Sequence, residues 1–172
     1  MSAKAKQRSI LFKFLSIFSV VRGYNILLIV FAQYLTSIFI LSDKTYFEVL
    51  FDKSLFLIIC CSSLSIASGY IINNFYDEEK DLINKPVKYK IDDVVNKSTK
   101  LRFYFFLNFI VVLIASFISL KAVLFFSVYI FFLWFYSHKI KRLVFLGNLF
   151  YSLLTVTPFF AILLYFKNID VI

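Results

Sequence analysis

The chain has 172 residues, of which 61% are hydrophobic and 17% charged, with a mean hydropathy of +0.84. Soluble domains average about 45–50% apolar and about 25% charged residues, so disordered, collagen-like and ordinary globular classes are excluded. The net charge is +9, but the Lys and Arg residues flank apolar runs, which points to a membrane protein and not to a nucleic-acid binder. Cys60 and Cys61 are adjacent and inside an apolar run; they cannot build a disulfide framework and read as small packed hydrophobes.

A membrane-crossing helix needs about 20 mostly apolar residues. Taken in chain order, Ser9–Ser19 reads as an amphipathic lead-in that suits the membrane interface. Five spans are then expected: Val20–Leu41, Leu55 to about Tyr76, Leu101–Leu120, Ala122–Ser137 and Leu146–Phe166. The longest polar stretch, Asp77–Lys100, reads as a loop on one side of the bundle. If the spans alternate, all but four of the 19 Lys and Arg residues (Lys44, Lys53, Lys121 and Lys167) fall on the side of the N-terminus. That asymmetry predicts a cytoplasmic N-terminus. The expected fold is therefore all-α, a polytopic transmembrane bundle forming a single membrane domain over 1–172, without internal repeats. Gln33 and Asn108 are thin candidates for a solute path and read more simply as helix–helix contacts.

Asn73, Asp77 and Asp81 stand at i, i+4 and i+8 where the second span meets the polar stretch. Over eight residues a helix drifts by only about 80°, so the three share one face. Two carboxylates and an amide oxygen form the kind of donor set that Mg²⁺ takes, with phosphates completing the shell. A solvated helix end has a similar composition, and Glu78, Glu79 and Lys80 lie in the same run.

The segment continues Leu82-Ile83-Asn84-Lys85-Pro86, with Lys88 two residues on. Here the sequence resembles the UbiA-type intramembrane prenyltransferases. Their signature runs Asn-Asp-x-x-Asp-x-x-x-Asp, then Asn-(Lys/Arg)-Pro and a basic residue. Asn73, Asp77, Asp81, Asn84, Lys85, Pro86 and Lys88 match that frame. Asn74 replaces the usual Asp, and Tyr89 stands where Pro often follows. Arg22-Gly23-Tyr24-Asn25 resembles an Arg-x-x-Asn element of the archaeal-lipid branch. Tyr136-Ser137 followed by Lys141-Arg142 and Gly147-Asn148 resembles a third family segment.

The resemblance implies Mg²⁺-dependent transfer of a prenyl group from an isoprenoid diphosphate to a lipid or aromatic acceptor within the bilayer. Asp77 and Asp81 would bind Mg²⁺ with Asn73 in support. Lys88, and Lys141 or Arg142, would pair with diphosphate oxygens, and Arg22 and Asn25 could approach the same pocket. Asp77, Asp81 and Lys141 would be the catalytic set. Tyr76 and Tyr136 are the rings nearest that pocket, and His138 reads as an interfacial residue. The Arg22/Asn25 element favours an acceptor of the geranylgeranylglyceryl phosphate type.

Family members have a second Asp-rich motif and about nine helices. After Asp93 the only carboxylate here is Asp170. The chain is accordingly expected to be the N-terminal part of such an enzyme, inactive alone and completed by a missing C-terminal half. The alternative is a non-catalytic membrane subunit, or a regulatory fragment that pairs with a full-length homologue.

Overall fold

The structure is a computed structural model that describes residue 12 and residues 15–167. Lys4, Lys6, Arg8, Lys13, Asp170 and most of the lead-in lie outside the described residues. Residues 15–20 are helical and turn at Arg22 into helix α1, Gly23–Thr36, which a π-helical turn, Ser37–Leu41, completes as one span. A short helix α2, Tyr46–Leu50, leads to the long helix α3, Lys53–Asn84. Then come α4 (Pro86–Asp92), α5 (Lys97–Ser116), α6 (Leu120–His138), a 3₁₀ turn (Ile140–Arg142) and α7 (Val144–Phe166). Among the described residues, α1 with its π turn, α3, α5, α6 and α7 are long and apolar enough to cross a membrane.

Five spans therefore stand where the hydropathy places them, with one difference. The second does not give way to a loop at Tyr76 but stays helical through Asn84, and the rest of the expected loop 77–100 holds α4 and the first turn of α5. No helix breaker occurs before Pro86, whose ring disfavours helical geometry at the preceding residue. Lys85 accordingly leaves the helix at φ −140° and ψ 61°, and Pro86 opens α4. Thirty-two residues of α3 extend about 48 Å. The hydrocarbon layer is only about 30 Å thick, so the polar end of α3 projects beyond it.

α3 is the centre of the bundle. In its most apolar stretch 61% of residues are buried, against 11–22% for the other four spans. Small residues make this possible: Ser62, Ser65, Ser68 and Gly69 are buried on α3 and let neighbouring helices approach closely. A Cβ added at Gly69 would lie 3.1 Å from the Leu133 side chain on α6. Ile58, Cys61, Val111, Phe126 and Ile162 form the core between α3, α5, α6 and α7. The outward faces carry exposed Phe31, Phe39, Phe106 and Phe145, as lipid-facing helices do.

Pro158 interrupts α7. It cannot donate to the Leu154 carbonyl; the Tyr129 hydroxyl on α6 does so instead, at 3.2 Å. The Pro158 carbonyl accepts from Gln33 Nε2 on α1 at 2.9 Å, and the same nitrogen lies 3.4 Å from Ser62 Oγ on α3. Gln33 thus ties three helices together at the break, which is the helix–helix role expected of it.

At the opposite end of the bundle from Asn73, Asp52 caps α3 by accepting from Ser54 N–H and Leu55 N–H at 3.0 and 3.1 Å. It also accepts from the Tyr165 hydroxyl of α7 at 2.7 Å. Partial burial works against its charge. The Tyr165 hydroxyl, the Leu55 and Ser54 N–H groups and the Lys44 charge outweigh that and hold the carboxyl below its ordinary range. A carboxyl depressed in the folded state stabilises the protein fully above its unfolded pKa. That contribution is lost as pH falls through the folded value. Asp52→Asn keeps a capping oxygen but not its charge, and is expected to destabilise the chain by about 1 kcal/mol near neutral pH, the difference between charged and neutral hydrogen bonds. The difference from wild type should shrink as pH falls below about 4, the ordinary carboxyl value. Thermal unfolding in detergent across that range checks it, and a pH-independent difference would refute the charge argument.

Candidate active site

Adjacent residues on a helix point about 100° apart, and the polar end of α3 uses two of its faces for different purposes. Asn74 and Glu78 turn towards the following chain: Asn74 Nδ2 donates to Asp92 Oδ2 at 2.9 Å, and Glu78 pairs with Lys97 at 2.8 Å. These contacts pack α4 and the start of α5 against α3. The other face carries Asn73, Asp77 and Asp81.

Asn73 and Asp77 converge on one ammonium. Lys141 Nζ, from the 3₁₀ turn between α6 and α7, donates to Asn73 Oδ1 at 2.9 Å and pairs closely with Asp77 Oδ2. Both partners are largely shielded, the Asp77 side chain being 15% exposed and that of Lys141 31%. One turn on, Asp81 is flanked by Lys85 at 3.8 Å and Lys88 at 3.7 Å. Lys88 is bonded more closely to Asp92, at 2.8 Å.

Below this cluster opens a cavity of about 310 Å³. Its polar mouth is made by Arg22, Asn73, Lys141 and Asn148. Its depth is lined by Ile29, Ile66, Leu133, Leu154 and Pro158. From Asn148 to Pro158, ten residues of α7 descend about 15 Å. Tyr70, Tyr129, Tyr136 and Tyr151 surround the middle. The site is thus amphiphilic, with cations and amides at one end and an aliphatic and aromatic sleeve at the other. Tyr76 is outside the lining and packs on His138, with ring centroids 5.2 Å apart; His138 also stacks on Trp134.

Arg22 reaches the mouth through an unusual backbone. It is the non-glycine residue with positive φ among the described residues, at φ 50° and ψ 53°. An L-residue in that region costs about 1–2 kcal/mol. The turn carries the chain from residues 15–20 into α1 and sets the Arg22 guanidinium 5.0 Å above the Tyr70 ring. At the other side of the mouth, Gly147 lets α7 begin hard against the 3₁₀ turn. A Cβ there would lie 3.2 Å from the Ile140 carbonyl.

Of the residues singled out in the sequence, Arg22, Asn73, Asp77 and Lys141 come together. Asp81 continues their face with Lys88 beside it. Asn25 and Arg142 are exposed and do not line the cavity. Tyr70, Asn148 and Tyr151 were not singled out beforehand as pocket residues. Helical spacing carries the signal for them: Tyr70 stands three residues before Asn73, and Asn148, Tyr151, Thr155 and Pro158 recur on one face of α7.

Asn73, Asp77 and Asp81 offer oxygen donors that fit a hard cation. Among the described residues, no three His, Cys, Asp or Glu side chains cluster closely enough to hold a metal by themselves.

Comparison with known proteins bears on the family and the fold. The model of the UbiA prenyltransferase family matches residues 30–170. A digeranylgeranylglyceryl phosphate synthase of Thermococcus gammatolerans is 34% identical over 110 residues, covering 63% of this chain and 40% of that relative. The protein of the same name from Thermococcus sibiricus is 31% identical over 110 residues, covering 63% and 39%. A solved structure of digeranylgeranylglyceryl phosphate synthase superposes with a TM-score of 0.68 at 23% identity, covering 86% of this chain and 51% of that one. The chain thus spans about two fifths of the length of these curated relatives. With five apolar helices in the arrangement of that solved fold, and the family pattern running through nearly all its described length, the protein is a multi-pass integral membrane protein that belongs to the UbiA prenyltransferase family.

Proposed function

We propose that the chain forms the diphosphate-binding part of a membrane prenyltransferase, which moves a prenyl group from an isoprenoid diphosphate to a lipid acceptor. The observation that carries this reading is the convergence of Asn73 and Asp77 on the Lys141 ammonium at the mouth of an apolar cavity. An amphiphile with a polyanionic head and a hydrocarbon tail suits such a site, because head and tail find charge and apolar surface in the same order.

Asn73, Asp77 and Asp81 would hold Mg²⁺, with phosphate oxygens and water completing its preferred oxygen shell. When bound, the ion neutralises charge on the departing diphosphate. Lys141 and Arg22 are fixed positive charges at the mouth, and Lys88 stands beside Asp81. Ile29, Ile66 and Leu133 keep water from the tail, and the Tyr70 and Tyr136 rings offer electron-rich faces to positive charge developing on the prenyl carbon. The relatives' name supports a glycerol-phosphate lipid as acceptor, for which Arg22 is the second cation at the mouth. The excess of Lys and Arg at this end of the bundle supports a cytoplasmic site and a cytoplasmic N-terminus.

The test is binding of geranylgeranyl diphosphate to the purified chain in nanodiscs. Saturable binding that is lost on chelating Mg²⁺ is expected. Binding unaffected by the chelator would remove the metal assignment, and no binding at all would remove the diphosphate reading.

A further inference from the structure

Asn74 stands where the family motif usually has an acid, and the structure shows what it faces. Its amide nitrogen donates to Asp92 Oδ2 at 2.9 Å. Asp92, on α4, is 2% exposed. It also accepts from Lys88 Nζ on Oδ2 and from Ser19 Oγ on Oδ1, each at 2.8 Å. An isolated buried carboxylate is costly, so this set of three donors is what allows the charge to stay. Lys88 Nζ, held from behind by Asp92, lies 3.7 Å from Asp81 Oδ2 in front.

We propose that Asp92 is a positioning residue of the diphosphate site. Through Lys88 it fixes an ammonium beside Asp81, and the carboxylate that the family motif carries at position 74 is supplied from position 92 instead. The inference rests on the reading of Asp81 and Lys88 given above. The physical argument is one of charge and freedom. A free Lys side chain holds much rotamer entropy, and the i, i+4 bond to Asp92 removes part of that cost before a ligand arrives. Two carboxylates with oxygens 2.9 Å apart would repel each other, so the acid at 92 is complemented by the amide at 74. Asn74 and Asp92 are therefore a matched pair, and exchanging their side chains should preserve it.

The experiment compares wild type, Asn74→Asp, Asp92→Asn and the double exchange in nanodiscs, with two readouts. Hydrogen exchange of the 85–93 backbone reports the clamp without any ligand. Each single change should speed it by about tenfold, as expected for a lost hydrogen bond to a charge, and the double exchange should return it to within about threefold of wild type. Affinity for inorganic pyrophosphate with Mg²⁺ reports the positioning. Asp92→Asn and Lys88→Met should each weaken it by about tenfold, and the two together by no more than either alone, because they act through one ammonium. Should asparagine at 92 prevent folding, Asn74→Asp takes its place in the same cycle.

If the double exchange behaves as the sum of its parts, the matched pair is overturned. If wild type binds pyrophosphate but the Asp92 and Lys88 effects add in full, Asp92 is structural and the positioning role is overturned. If wild type binds no pyrophosphate, the functional reading fails and the positioning role with it. The exchange data would still report the clamp.

Discussion

Asp77→Asn is expected to lower the Mg²⁺-dependent affinity for geranylgeranyl diphosphate by on the order of 100-fold, a loss of about 2.8 kcal/mol. Asp77 is the carboxylate at the centre of the proposed cation-binding face, one turn from Asn73 and one from Asp81, and only 15% of its side chain is exposed. A charge in that environment is screened far less than one in open water. Asparagine keeps the shape and one acceptor for Lys141, so the fold should survive. What disappears is the negative charge that a hard cation requires. Glu78→Gln is the control. It removes a carboxylate one residue away that faces Lys97 and not the cavity, and it should change the affinity by less than about threefold. Equal losses in the two variants would mean that only the summed charge of the α3 end matters, and the face assignment would fall.

Lys141→Met should separate two affinities in opposite directions. Lys141 occupies the oxygens of Asn73 and Asp77, so its ammonium competes with any metal ion that uses them. Without it, Mn²⁺ used as a probe for the divalent site should bind more tightly in the absence of substrate. Diphosphate should bind more weakly, by about 10–100-fold, because a hydrogen bond from a charged group at a shielded site contributes about 1.5–3 kcal/mol. Titration of each ligand against wild type and variant measures both. Arg142→Met should reduce diphosphate affinity by no more than about threefold, since Arg142 is exposed outside the cavity. Weakening of both ligands by Lys141→Met would show that the lysine only holds the turn against α3.

The number of spans, their order and the face shared by Asn73, Asp77 and Asp81 were legible in the sequence, because hydrophobic run length and the 3.6-residue period are local properties of the chain. The end of α3, at Asn84 and not at Tyr76, was not. The Pro86 ring restricts Lys85 wherever the chain goes next, although the polar character of residues 77–84 made a helical stretch look like a loop. The choice between Lys141 and Arg142 was not legible. In a 3₁₀ turn neighbouring side chains point about 120° apart, and which of them meets Asp77 depends on how α6 and α7 pack against α3. The same holds for Arg22 against Asn25, separated by a left-handed turn at Arg22 itself. It holds too for Asn74, whose partner lies 18 residues away on α4, and for Gln33, whose carbonyl partner lies 125 residues away at a proline. Composition and periodicity determine which segments enter the bilayer and which faces are polar. Contacts between residues far apart in the chain decide which of those polar groups meet, because such contacts exist only once the helices have packed.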